Sequence, residues 1–205
     1  MKILAHQINK KYRQEYIIRD FSFEINANDK IALIGQNGSG KSTLLKILAQ
    51  YSFPSKGTIE YINLKDQKIH QDQAYQFVSF VAPYVEIIEE FTLTELVTFL
   101  QKVNYLSDEI SLNEFENFIK LSPNKDKLIK NYSSGMRQKV KLGASFLSNR
   151  PLLFLDEPTS NLDETAKKWF SENINHVKNK TIIMASNETS EIDLCESVIQ
   201  IQNYK

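Results

Sequence analysis

GQNGSGKST, residues 35–43, decides how this chain of 205 residues is read. It fits the spacing G-x-x-x-x-G-K-[ST]. The run before it, KIALIG (30–35), reads as a short buried strand. KSTLLKILAQ, from Lys41, reads as a helix with Leu44, Leu45, Ile47 and Leu48 for packing. A strand, a glycine-rich turn and a helix in that order are the setting in which this spacing has a physical meaning. Gly35, Gly38 and Gly40 allow backbone conformations that a side chain would block. Successive N–H groups of Gln36, Asn37, Ser39 and their glycine neighbours can therefore turn inward, and with the helix N-terminus they form an anion cradle. Lys41 adds a mobile positive charge for β- and γ-phosphates. Ser42, beside Thr43, offers a hydroxyl to Mg²⁺. A glycine-rich turn of no function is the bland alternative, and Lys-Ser-Thr in this setting argues against it. The loop alone names no reaction, since kinases, GTPases and motors share it.

LLFLDEPTSNLDE (152–164) narrows the choice. Four apolar residues deliver Asp156 and Glu157 to a strand end. Asp156 is placed to reach Mg²⁺ through water, and Glu157 to orient and polarise an attacking water. Two adjacent acids on a strand point to opposite faces, so they cannot share one job. A phosphotransferase needs no water-activating base, so the pair favours hydrolysis over transfer.

Short apolar runs alternate with helical patterns along the chain, the mark of a largely parallel sheet with crossover helices. FVSFVA (77–82), LLFLDE (152–157), TIIMAS (181–186) and SVIQIQ (197–202) read as strands. Leu93 to Lys120 is helical in two pieces, SPNKDK (122–127) is a loop, and Ser134–Asn149 and Glu164–Val177 are helices. SEIDLCE (190–196) reads as a short helix. On the Ser134–Asn149 helix, Met136, Val140, Ala144 and Leu147 share one side, and Arg137, Lys139 and Lys141 read as solvated. The first third differs. MKILAHQ, EYIIRDFSFEI and TIEYI follow one another across the turn-like NAND and FPSKG, as in an antiparallel β patch.

Composition sets the outer bounds. Apolar residues make up 41% of the chain, enough for one substantial core, and 25 basic residues balance 25 acidic ones. That balance gives no electrostatic footprint for wrapping nucleic acid. The single cysteine, Cys195, excludes an internal disulfide and reads as a small buried side chain in a reducing compartment. The opening MKILAHQINKKY has an apolar run of only three residues after Lys2, too short for an export signal. Runs such as LLFL fall far below the roughly 20 residues that span a bilayer. Any membrane crossing is expected of another chain.

YSSGMRQKV begins at Tyr132. Ser133 or Ser134 is a good N-cap for the helix that follows. With its hydroxyl and N–H donors, that helix N-terminus can also receive a phosphate. A second cradle makes sense if it serves a nucleotide held by another subunit.

Taken together these stretches resemble the ATP-binding subunit of an ABC transporter, over nearly the whole chain. GQNGSGKST resembles the Walker A motif, LLFLDE the Walker B motif, SNLD (160–163) with Asp163 the D-loop, and YSSGMRQ the family signature usually written LSGGQ. Tyr12, 23 residues before Gly35, falls where the family stacks an aromatic on adenine, with Tyr16 as the fallback. The resemblance implies one ABC-type P-loop domain over 1–205, an α/β fold with a mostly parallel core sheet, an N-terminal antiparallel β patch and an inserted helical lobe near 84–150. It implies ATP and Mg²⁺ as cofactors. Two subunits would bind ATP head to tail, the cradle of one facing Ser133, Ser134 and Gly135 of the other. The partners implied are a second ATPase subunit and a membrane-spanning subunit touched by the lobe, at the cytoplasmic face of the membrane. No nucleic-acid partner is expected.

Three places depart from the pattern. Ser134 and Met136 stand where the signature has glycine and glutamine, while Ser133 and Gly135 are retained. Pro83 stands where the family has a glutamine that reaches toward Mg²⁺, and Gln76 precedes the strand and is a poor substitute. Asn187 stands where a histidine contacts the γ-phosphate; the three histidines, His6, His70 and His176, lie elsewhere. An amide donates a hydrogen bond but carries no proton or positive charge. The expectation is slow but real turnover through Glu157. The competing readings are an ATP-gated dimerisation switch with little turnover and a soluble ABC ATPase outside transport. A kinase or GTPase leaves YSSGMRQ and SNLD unexplained.

Overall fold

The computed structural model describes residues 1–121 and 126–205, so most of the expected SPNKDK loop lies outside the described residues. The strands are β1 (Lys2–Tyr12), β2 (Glu15–Ile25), β3 (Lys30–Ile34), β4 (Lys56–Ile62), β5 (Lys68–Ile69), β6 (Val78–Val81), β7 (Leu152–Asp156), β8 (Thr181–Ala185) and β9 (Ser197–Gln200). The helices are α1 (Lys41–Leu48), α2 (Leu93–Lys102), α3 (Leu112–Ile119), α4 (Ser134–Leu147), α5 (Glu164–His176) and α6 (Thr189–Ile192). Several ends fall a residue or two inside the expected bounds. Phe77 closes a 3-10 turn before β6, and Ile201–Tyr204 form another after β9.

Two sheets result. One is antiparallel, in the order β2-β1-β4-β5; the other is parallel, in the order β6-β7-β8-β3-β9. The parallel sheet divides two cores, and the period-two geometry of a strand decides which residue enters which. On β7, Leu152 and Phe154 join α1 and the antiparallel sheet, while Leu153 and Leu155 join the helices of the other side. On β8, Ile183 and Ala185 face the first core, and Ile182 and Met184 the second. Residues buried on both faces explain why these strands read as unbroken apolar runs. Burying each large side chain contributes roughly 1.5–3 kcal/mol, so exposing either face of β7 or β8 would be costly.

Helix starts follow local chemistry. Thr92 with Glu95, and Ser111 with Glu114, form reciprocal capping boxes at α2 and α3. Ser133 caps α4 by accepting from Met136 N at 3.2 Å, which decides between the two serines. Asp163 caps α5 by accepting from Ala166 N at 2.8 Å.

The basic residues of α4 correct the sequence reading, because none stands free in solvent. Lys141 Nζ donates to the Ala82 and Val85 carbonyls at 3.3 and 3.0 Å. Arg137 donates to the Tyr132 carbonyl at 2.9 Å and pairs with Glu89 at 3.4 Å. Lys139 Nζ lies over the Trp169 ring, 5.4 Å from its centroid. Gln138, Val140, Leu142, Gly143, Ala144, Ser145 and Phe146 are all buried, so α4 is enclosed on most sides and its cations tie the neighbouring loops.

Candidate functional site

All five strands of the parallel sheet point the same way, so their carboxyl ends lie along one edge. Ligands of open α/β sheets bind in the crevice beyond such an edge. β3 releases the chain into the 35–43 loop there, β7 ends at Asp156, β8 at Ala185, and β6 leads into Pro83 and Tyr84. The register aligns the ends: Asp156 lies opposite Ala185 on β8, and Ala185 opposite Leu33 on β3.

The glycine-rich loop is held from inside. Lys41 is buried, and its ammonium donates to the carbonyls of Gly35 and Gln36 at 2.7 and 3.2 Å. Desolvation lowers the Lys41 pKa, against the opposing pull of Glu157 and Asp156. Gly40 precedes α1 at φ +104, a backbone state that favours glycine, and a Cβ there would lie 2.8 Å from Ile17 Cγ2. The buried Ser39 hydroxyl has no hydrogen-bond partner, and a Cβ on Gly35 would meet it at 2.7 Å. A bare cradle with an idle hydroxyl fits a bound oxyanion. Tyr12, Ile17, Asn37, Gly38, Ser39, Gly40, Lys41, Ser42, Thr43 and Glu157 line one cavity. Tyr12 stands at the tip of the β1–β2 hairpin with its ring half exposed. Tyr16, on β2, is not among the lining residues; Arg19 lies over its ring instead.

Ser42 Oγ donates to Asp156 Oδ1 at 3.0 Å, which joins the loop to the end of β7. Among the described residues no three His, Cys, Asp or Glu side chains form a metal cage. A hydroxyl beside one buried carboxylate instead offers hard oxygen donors, the chemistry that suits a hydrated Mg²⁺ rather than a dedicated protein cage. The other oxygen of Asp156 has a partner the sequence did not announce. The Tyr84 hydroxyl donates to Oδ2 at 2.7 Å. Desolvation, with the hydrogen bond to Asp156 and the nearby Asp156 and Glu157 charges, pushes the Tyr84 pKa far up. The carbonyls on either side of Pro83–Tyr84 are those that Lys141 grips.

Glu157 departs from the expectation. It has left the strand, at φ +45, with its N–H donating to the Ala185 carbonyl at 2.9 Å. The argument from opposite strand faces therefore does not apply. A sharp turn separates the two acids: Asp156 is buried while Glu157 is exposed. Glu157 and Asn187 line a second cavity together with Asn37, Thr159, Ser160 and Glu188. The Asn187 amide donates to Asn37 Oδ1 at 2.6 Å, so the end of β8 touches the glycine-rich loop.

Ser133, Ser134, Gly135 and Asp163 line neither cavity. Gly135 abuts the SNLD turn, where a Cβ would lie 3.2 Å from the Asn161 carbonyl oxygen. Two buried polar residues fasten the same turn. Gln138 Nε2 donates to the Pro158 carbonyl at 2.7 Å, and Glu191 Oε1 accepts from Thr159 N and Oγ1 at 2.9 and 2.6 Å. Neither stands out in the sequence, because one reads as a polar helix residue and the other as part of an acidic surface stretch.

A family model described as ABC transporter matches residues 18–160. The chain belongs to the ABC transporter family. Its relatives include a probable ABC transporter ATP-binding/permease protein of Haemophilus influenzae, 30% identical over 98% of this chain and 38% of that protein. The chain thus spans well under half of that relative's length. It is also 30% identical to the lipoprotein-releasing system ATP-binding protein LolD of Ehrlichia ruminantium, over 95% of this chain and 92% of the other. A solved dimeric ATP-binding cassette, described in a post-hydrolysis state with ADP and Pi, superposes with a TM-score of 0.82. It shares 20% identity over 97% of this chain and 93% of that one, a likeness of fold. The α/β architecture of this family member, one parallel and one antiparallel sheet with flanking helices, is thereby established.

Proposed function

We propose that this family member is the ATP-binding and ATP-hydrolysing subunit of an ABC transporter. The Ser42–Asp156 hydrogen bond carries the reading, because it brings the loop hydroxyl and the strand carboxylate to one point beside the cradle. Residues 35–43 bind the phosphates through inward N–H groups and Lys41. Tyr12 stacks on the adenine from the hairpin tip. Ser42 and Asp156 hold Mg²⁺, which supplies charge neutralisation for the phosphates when bound. Glu157, freed from the strand and exposed to the cavity, orients and deprotonates the attacking water. Asn187 donates a hydrogen bond toward the γ-phosphate.

Ser133, Ser134, Gly135 and Asp163 stand outside the two cavities beside the cradle of their own chain, as residues that serve a second subunit in a head-to-tail dimer would. No helix among the described residues is long and apolar enough to cross a membrane. The proposed partner is a separate spanning subunit, with this chain peripheral on its cytoplasmic side. Outright loss of one transition-state donor costs on the order of 10²–10³ in rate; the amide of Asn187 recovers part of that but carries no positive charge, so the change from histidine predicts slow turnover.

Steady-state hydrolysis by the wild type, Glu157→Gln and Asn187→His tests the assignment. Glu157→Gln is expected to abolish turnover and Asn187→His to raise it. Turnover unchanged in Glu157→Gln would remove the base from the mechanism. Absence of any membrane protein from a mild-detergent pull-down would favour a soluble ATPase. The second reading is a binding-gated switch with little turnover. The Asn187–Asn37 bond favours it, since the amide that would face the γ-phosphate is already engaged by the loop.

A further inference from the structure

We infer that Tyr84 is a positioning residue for Asp156, its hydroxyl fixing the rotation in which Oδ1 faces Ser42 and the Mg²⁺ site; the inference rests on the nucleotide reading. A carboxylate with one partner can turn about its own bond. Asp156 has two, from different parts of the fold: Ser42 Oγ on Oδ1 at 3.0 Å and the Tyr84 hydroxyl on Oδ2 at 2.7 Å. The residue is 2% exposed, so water does not substitute freely for either donor. A carboxylate retains further lone pairs beyond these two bonds, which leaves Oδ1 free to accept from a metal-bound water.

Tyr84 is itself held from three directions. Lys46, on α1, places its ammonium 3.9 Å from the ring centroid, within cation–π range. Lys141, on α4, grips the carbonyls of Ala82 and Val85, which bracket Pro83 and Tyr84. Pro83 restricts the backbone immediately before the ring. The ring is half exposed, yet its hydroxyl is aimed inward at a buried acid. Burial of the ring does not explain that aim; the hydrogen bond does.

The chemistry of the donor fits the task. A Lys or Arg in this place would cancel the charge of Asp156 and weaken its hold on a cation. A phenol orients the carboxylate and leaves its full negative charge for the metal. It also connects the metal carboxylate to α4 through Lys141, so displacement of that helix would be felt at Asp156.

The test is equilibrium binding of a fluorescent ATP analogue to the full chain and to Tyr84→Phe, in EDTA and across a Mg²⁺ series. Loss of a group that orients a metal ligand typically costs 10–100-fold in metal affinity. The expected result is equal affinity in EDTA and a Mg²⁺ midpoint raised about tenfold in Tyr84→Phe. Equal midpoints overturn the inference. A lower midpoint in the variant also overturns it, because the phenol would then be competing with the metal. An equal loss in EDTA and in Mg²⁺ marks packing damage and overturns it as well. If the wild type binds no analogue in either condition, the nucleotide reading fails first and this inference with it.

Discussion

Gly143→Ala sets helix propensity against packing, and the geometry decides the sign. Gly143 lies inside α4, where alanine is favoured over glycine by about 1 kcal/mol. A Cβ there would lie 2.2 Å from Ile119 Cγ2, 3.6 Å from Ile119 Cβ and 3.7 Å from Phe115 Cζ. Carbon atoms pack at about 3.5–4.0 Å, so the first contact demands a shift of roughly 1.5 Å. Ile119 is fully buried at the end of α3, and its β-branch leaves little rotamer freedom in a helix. The strain must therefore pass to the backbones of α3 and α4. Overpacking of this kind costs about 1–3 kcal/mol, here taken near the top of that range. Less the propensity gain, the variant should be about 1–2 kcal/mol less stable. For a domain of this size that is a fall of roughly 4 °C in Tm. Thermal and urea unfolding measure it. The double variant with Ile119→Ala isolates the cause. Ile119→Ala alone costs about 2–5 kcal/mol, and in the Gly143→Ala background it should cost at least about 1 kcal/mol less. A rise in Tm for Gly143→Ala, or strict additivity in the double variant, would refute the packing argument.

Further tests address buried ionisable groups. Lys180 is buried, donating to the Ser148 and Arg150 carbonyls at 2.6 Å each, and desolvation with the Arg150 charge lowers its pKa to about 8. The unfolded chain then binds more protons between about 8 and 10.5, so this group makes stability rise with pH across that window. The difference in unfolding free energy between wild type and Lys180→Met should climb over the window; a falling difference would mean that the carbonyl acceptors outweigh burial. Cys195 is partly buried, not fully enclosed as the sequence reading has it, and desolvation pushes it from its ordinary 9.0 to about 12, so at pH 8 its thiolate is about a thousandfold scarcer than that of a free thiol. Mass spectrometry should show iodoacetamide labelling slow in the native protein and fast in denaturant; equal rates would contradict the burial. Glu191→Ala leaves two buried Thr159 donors without their acceptor and should cost about 2–4 kcal/mol, whereas Glu191→Gln keeps an acceptor and should cost under about 1 kcal/mol. Chemical denaturation of the pair checks it, and equal losses would sink the hydrogen-bond account.

The elements that carry strong local signals are legible in the chain itself. The glycine spacing of 35–43, the four apolar residues ahead of Asp156 and a serine cap at Ser133 or Ser134 depend on neighbours in the chain, so sequence alone places them; the choice of Ser133 and the cap at Asp163 came from the structure. The division of β7 and β8 between two cores follows equally from period-two geometry. What the sequence determined, then, was most of the strands and helices, the loop that cradles an anion and the family resemblance; the two-residue β5 and the 3-10 turns carry too little local signal to be read.

Other features depend on contacts between distant segments, which periodicity does not encode. Arg137, Lys139 and Lys141 look solvated on a helical wheel, and only the packing of 82–91, Lys120 and Trp169 around α4 turns them into ties. Glu157 looks like a strand residue until the turn at φ +45 takes it out of β7. Asn37 and Asn187 are 150 residues apart, and Tyr84 and Asp156 are 72 apart. Their meetings exist because a parallel sheet brings the carboxyl ends of β3, β6, β7 and β8 to one edge. Local chemistry chose the strands, and the tertiary arrangement decided which side chains share the edge where they end.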